Sequence, residues 1–173
     1  MEETARTIFL IMAVTVVYII SCALYDHIVF KMRLRRDEKQ QKSLKTTAGH
    51  IAYLMELEPV PIIRDWKPAP LAYSKFSSDW KTLEYIGISR HFLQSLNHAA
   101  IEAVLAHEFA HSIIKSLNRD IEIEKKCDLL AAKIVGKKKV LLMYDAIDAH
   151  CKKFNYIPTT VNARRVCLQN AEI

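Results

Sequence analysis

From Ile8 to Phe30 the chain is almost continuously apolar (IFLIMAVTVVYIISCALYDHIVF), and Asp26 and His27 are its only Asp, Glu, Lys, Arg or His residues. Roughly 20 apolar residues cross the hydrocarbon core of a bilayer, so this run predicts one membrane-spanning helix. A cleaved signal peptide is the rival, but it calls for a positive leader and a shorter apolar core. Here the leader is Glu2, Glu3 and a single Arg6. From Lys39 to Leu57 the pattern changes: Leu44, Ala48, Ile51, Ala52, Leu54 and Met55 recur at amphipathic-helix spacing until Glu58-Pro59-Val60-Pro61 stops them.

Short strands are expected at Ile62 to Asp65, Leu71 to Phe76 and Thr82 to Ser89, separated by the bend Lys67-Pro68-Ala69-Pro70 and the turn Ser77-Ser78-Asp79-Trp80. Arg90 to Leu96 begins a helical approach. Asn97 is placed to cap a strongly apolar helical run from Ala99 to Leu117. Asn118 and Asp120 bracket a tight break, and helices follow at about 120–136, 139–153 and 160–170, punctuated by Gly136 and Pro158. Short strands followed by helices imply an α+β domain, mainly helical with a small sheet and preceded by one N-terminal transmembrane helix. The expected division is a tail at 1–7, the span at 8–30, a basic juxtamembrane segment at 31–45 and a folded domain at 46–173.

Charge gives the span a direction. Lys31, Arg33, Arg35, Arg36, Lys39, Lys42 and Lys45 follow it, against only Asp37 and Glu38. The positive-inside rule then puts the C-terminal domain on the cytoplasmic face, with the collar beside anionic headgroups. Much of the formal +6 sits in this collar, so the basic balance needs no nucleic-acid partner, and no nucleic-acid module is present. Cys22, Cys127, Cys151 and Cys167 form no C-x-x-C pair and read as reduced residues among apolar positions.

Inside the apolar run lies His107-Glu108-Phe109-Ala110-His111. Positions i and i+4 share a helix face, so both imidazoles can meet one metal ion with Glu108 beside them, which suits zinc and a water that gives its proton to a carboxylate. A catalytic zinc needs a third protein ligand. On the next helix Glu124 and Asp128 fall on or at the edge of the apolar stripe formed by Ile121, Cys127, Leu130, Ala131, Ile134 and Val135. Inward carboxylates are costly unless paired or metal-bound. At ~1.5 Å per residue, the chain runs ~9 Å beyond His111, turns, and climbs ~6 Å to Glu124, so a helical hairpin returns that carboxylate to the height of the histidines. Glu124 is thus the candidate third ligand, and Asp128 a candidate acceptor for the free N–H of a ligand histidine. Salt bridges to Lys115, Arg119 or Lys125 are the bland alternative.

Tyr85-Ile86-Gly87-Ile88-Ser89-Arg90-His91-Phe92-Leu93 and Ala100-Ile101-Glu102-Ala103-Val104-Leu105-Ala106-His107-Glu108-Phe109-Ala110-His111 resemble the membrane-associated zinc metallopeptidases of the HtpX and CAAX prenyl protease type. Glu124-Lys125-Lys126-Cys127-Asp128-Leu129-Leu130-Ala131-Ala132 is similar to that family's E-x-x-x-D motif, with Cys127 at the usual Ala. Pro158 to Val166 is similar to its C-terminal H-P-x-x-x-x-R-I, with Ile157 at the His. The likeness covers about residues 70–170. It implies a zincin-like fold of minimal gluzincin size, one zinc held by His107, His111 and Glu124, and Glu108 as general base. Only twelve residues separate the two metal motifs, which leaves no room for the transmembrane helices that larger relatives insert there.

Candidates for an oxyanion donor are His150, Tyr156, Arg164 and Arg165, the resemblance favouring the two arginines. His27, His50, His91 and His98 lack metal-like partner spacing, and Lys137-Lys138-Lys139 reads as a solvated helix junction. The expected function is a membrane-anchored zinc endopeptidase acting on a peptide or protein substrate, in membrane-protein processing or quality control. The alternatives are a zinc-binding regulatory or latent protein with little turnover, and an anchor protein in which the pentad is accidental.

Overall fold

The computed structural model describes residues 2–66, 71–79, 81–115, 120–155 and 160–173, with side chains described throughout these ranges from Arg35 onward and at scattered positions before it. The bend at 67–70, Trp80, Asn118, Arg119, Tyr156 and Pro158 therefore lie outside the described residues. The chain divides into two units, Met1–Ser43 and Leu44–Ile173.

The first unit is helical and belongs to α1 (Glu2–Leu54). Among the described residues no helix is long and apolar enough to cross a membrane. Most side chains of the first half of the expected span at 8–30 lie outside the described set. Those that are described expose large apolar groups, including Tyr18, Ile20, Leu24, Tyr25, Ile28 and Phe30.

The second unit is α+β, mostly helical with one three-stranded sheet. It opens with the last turns of α1, where Leu44, Ala48, Ile51 and Ala52 are buried at the predicted spacing. The helix ends four residues before the Glu58–Pro61 stop, because Glu56 takes a left-handed conformation (φ 56°) just after it. Strands β1 (Ile62–Asp65), β2 (Ala72–Phe76) and β3 (Leu83–Ser89) follow, in spatial order β1-β3-β2. β1 runs parallel to β3 and β2 antiparallel to it, so β2 is an edge strand. Tyr73 lies across Gly87, its partner in register, where a Cβ would come within 2.3 Å of the ring. The same phenol donates to Asp65 Oδ2 at 3.3 Å and so ties β2 to β1 over the glycine.

A short α2 (Arg90–Leu93) leads to α3 (His98–Ile114). Asn97 Oδ1 accepts from the Ala100 amide at 2.8 Å, closing one of the orphan donors at the helix start. α3 ends at Ile114 rather than Leu117, with Lys115 left-handed at φ 46°. α4 (Ile121–Val135) is capped by Asp120, which accepts from the Ile123 amide at 2.9 Å. Gly136, at φ +96°, separates it from α5 (Lys137–Lys153), and α6 (Val161–Asn170) closes the unit. α5 starts two residues before the expected 139, and its Lys137 donates to the carbonyls of Gln169 and Ala171, satisfying the end of α6.

α3 is the central helix. It packs on α4, α5, β2 and β3, and Ala103 to Ala110 are buried without interruption. A helix surrounded on all sides has no wet face to offer a charged residue. Burying Phe109 or Leu105 contributes roughly 1.5–3 kcal/mol each. Burying His107, Glu108 and His111 beside them requires partners.

Candidate metal centre

The partners come from α4. The helical hairpin formed by α3 and α4 brings Glu124 Oε2 to 3.1 Å from His107 Nε2, and Glu124 Oε1 to 3.5 Å from His111 Nε2. One ligand atom from each of these three residues lies within 4.8 Å of the other two. His107 and His111 stand edge to face, 4.9 Å apart at 89°, as two rings do when stacked one turn apart and aimed at a common point. Ligands held ~2.0–2.1 Å from a tetrahedral zinc lie ~3.3 Å from one another. The two His–Glu separations match that spacing, and two imidazoles with one carboxylate form a donor set suited to zinc with a further position for water. A buried group of His107, His111 and Glu124 is therefore able to hold a metal ion.

Asp128 lies one turn beyond Glu124. Its Oδ1 sits 2.8 Å from His107 Nδ1, so the ring offers its other nitrogen, Nε2, to Glu124. Asp128 is 1% exposed, and its charge is answered on several sides. Arg164 reaches over from α6 with Nε at 2.7 Å from Oδ2 and Nη2 at 2.8 Å from Oδ1, and Tyr144 of α5 donates to Oδ2 at 2.6 Å. The remaining guanidinium nitrogen, Nη1, lies 3.0 Å from Glu124 Oε2. This bidentate clamp is the strong geometry for an arginine and a carboxylate.

The charges follow from these contacts. Burial works against a charged His107, but Asp128 at Nδ1 and Glu124 at Nε2 outweigh it and raise its pKa to about 9. Burial likewise opposes ionisation of Glu124, yet His107, Arg164 and His111 bring it down to about 2. Asp128 is held well below the ordinary carboxylate range: burial is overcome by His107 and by the Arg164 bonds. Burial and the neighbouring Asp128 push the Tyr144 phenol up, so it remains a donor. Without a metal ion, His107 is a doubly protonated ring between two carboxylates. Binding a metal requires that proton to leave.

Glu108, 5% exposed, points toward the sheet side of α3. Ser74 of β2 lies with its Oγ 2.5 Å from Glu108 Oε2 and 2.8 Å from the Glu108 carbonyl oxygen. Ser74, Tyr144 and the partner of His111, Cys127 Sγ at 3.3 Å from Nδ1, are the residues that the sequence did not single out for this centre. Only inward placement could have signalled them: Ser74 is the buried position of β2, and Tyr144 is fully buried in α5.

The other candidates are engaged elsewhere. Arg165 pairs with Asp145 at 2.7 Å and Asp148 at 2.5 Å on α5. His150 is buried against the rings of Phe92 and Phe154, 5.5 and 4.6 Å away between centroids. His98 faces Glu102, His91 lies edge-on to Phe154, and His50 is exposed. Lys125, a possible salt-bridge partner for Glu124 by sequence, pairs with Glu122. No protein-family model, curated protein or solved structure matches the chain.

Proposed function

We propose that the chain is a membrane-anchored, zinc-dependent endopeptidase of the minimal gluzincin type, as its motifs suggest. The observation that carries this reading is the position of Glu108, a buried carboxylate beside three convergent metal-ligand side chains and tied to an edge strand. His107, His111 and Glu124 would hold the ion. When bound, zinc supplies a Lewis acid that polarises a carbonyl and lowers the pKa of a water.

The protein's own groups do the rest. Glu108 takes a proton from the attacking water and delivers it to the leaving amine. Ser74 holds Glu108 Oε2 and so orients the carboxylate. Asp128 fixes the His107 ring, and Arg164 with Tyr144 keeps Asp128 ionised and in place. The outer edge of β2 supports a polypeptide substrate, since an extended chain can add to an edge strand by backbone hydrogen bonds beside Glu108. Cleavage of an unfolded protein by the zinc-loaded wild type, lost in Glu108→Gln with zinc still bound, is the expected result. Equal rates for the two proteins would end the peptidase reading.

A latent or regulatory zinc protein is the second reading, and one observation favours it. All three guanidinium nitrogens of Arg164 face Asp128 and Glu124, and Arg165 is taken by α5, so neither arginine stands ready as an oxyanion donor. Zinc binding with no turnover in the wild type would select it.

The anchor is supported by the 8–30 pattern and by the exposed Tyr18, Ile20, Leu24, Tyr25, Ile28 and Phe30, since such a row is costly in water and favourable in lipid. Retention of the full chain in membranes washed with alkaline carbonate, with the C-terminal unit digestible from the cytoplasmic side, tests both the span and its direction. Release by the wash would remove the anchor.

A further inference from the structure

Metal-bound histidines nearly always give the N–H of their second nitrogen to an acceptor that fixes the ring. His107 meets a carboxylate there. His111 meets Cys127, whose Sγ lies 3.3 Å from Nδ1 with both side chains buried between α3 and α4. We propose that Cys127 is a positioning residue of the metal centre, its sulfur accepting the Nδ1 hydrogen of His111 and holding Nε2 toward Glu124.

Two features support the assignment. The thiol is fully buried, so it faces His111 without competition from bulk water. A neutral acceptor also suits the local charge. Glu108, Glu124 and Asp128 already balance Arg164 and a dication, and a carboxylate in place of Cys127 would add an unanswered buried charge. The two histidines are thus held unequally, His107 by a strong charged acceptor and His111 by a weak, polarizable one.

This inference rests on His107, His111 and Glu124 binding a metal, and one titration separates the two claims. Full-length wild type, Cys127→Ala, Cys127→Ser and Cys151→Ala are titrated with Co2+ alone, followed by competition with Zn2+. Wild type and Cys151→Ala are expected to give the same tetrahedral Co2+ absorption. Cys127→Ala shifts those bands and weakens Zn2+ roughly tenfold, the low end for loss of such a contact. Cys127→Ser, which restores an acceptor, recovers most of the loss. Should the alanine variant fail to fold, Cys127→Val fills the volume without an acceptor and is expected to behave as described for alanine. A wild type that binds no Co2+ overturns the metal centre itself. Normal binding by wild type, with an unchanged spectrum and affinity in Cys127→Ala or Cys127→Val, overturns the role of Cys127 alone.

Discussion

Ser74 Oγ lies 2.5 Å from Glu108 Oε2 and 2.8 Å from the backbone oxygen of the same residue. A single hydroxyl of the edge strand thereby fixes both the side chain of the proposed base and the turn of α3 that carries it. The hydroxyl has one hydrogen and two acceptors in reach, so it can turn between them as Glu108 gains and loses a proton. Ser74→Ala is expected to lower kcat roughly tenfold with KM little changed, because it removes a hydrogen bond that orients the base without touching the ligands. Steady-state kinetics on a peptide substrate checks this, and a rise in KM at constant kcat would move Ser74 to substrate binding.

Zinc binding should release a proton. At pH 7 the ion-free His107 is protonated, its pKa having been raised to about 9, and ligation needs the neutral ring. Calorimetric titration in two buffers of different ionisation enthalpy is expected to report release of about one proton per zinc. Apparent affinity should fall as pH drops. Heats that do not depend on the buffer would contradict a charged His107.

Stability of the ion-free protein carries the same signature. His107 has a folded pKa raised above its ordinary 6.5, so its contribution is complete below that value and is lost as pH rises through about 9. Glu124 has a folded pKa depressed from 4.5, so its contribution is complete above 4.5 and is lost as pH falls through about 2. Urea midpoints of the chelated protein are therefore expected to peak between these limits, near pH 4.5–6.5, and to decline toward pH 9. In His107→Gln the alkaline decline should be smaller.

The two neighbouring arginines should separate sharply. Arg164→Ala takes from the buried Asp128 its bidentate cation and leaves it only His107 and Tyr144, a change expected to cost about 3–5 kcal/mol. Arg165→Ala removes ion pairs whose acids, Asp145 and Asp148, are 61% and 36% exposed, so its cost should stay below about 1 kcal/mol. Chemical denaturation of the two variants at neutral pH makes the comparison. Equal costs would show that Asp128 does not depend on Arg164.

The same pair marks what a sequence can and cannot give. Arg164 and Arg165 are adjacent on one helix and about 100° apart around it. The motif resemblance named both, and only the placement of α6 assigns one to Asp128 and the other to α5. The helical hairpin was more legible. Asn97, the apolar run after it and the capping Asp120 define two helices, and the return of the second brings Glu124 level with the histidines. Strand positions were also readable to within a residue, because Pro-rich and Ser/Asp-rich breaks flank them. Ser74 was not, since a serine in a short strand is spelled alike whether it faces water or Glu108. Cys127 reads as a residue among apolar positions and Tyr144 carries no signal of its own, and their polar atoms acquire a role only once α4 and α5 pack on α3.

Metal content of the purified full chain tests the central claim most directly. Elemental analysis after dialysis against micromolar zinc is expected to give one zinc per chain in the wild type, and in Glu108→Gln, where the ligands are intact. Glu124→Ala and His111→Ala are expected to lose it while keeping the wild-type circular dichroism. A wild-type chain free of zinc, or a Glu124→Ala protein that holds as much as the wild type, would contradict a centre built from His107, His111 and Glu124.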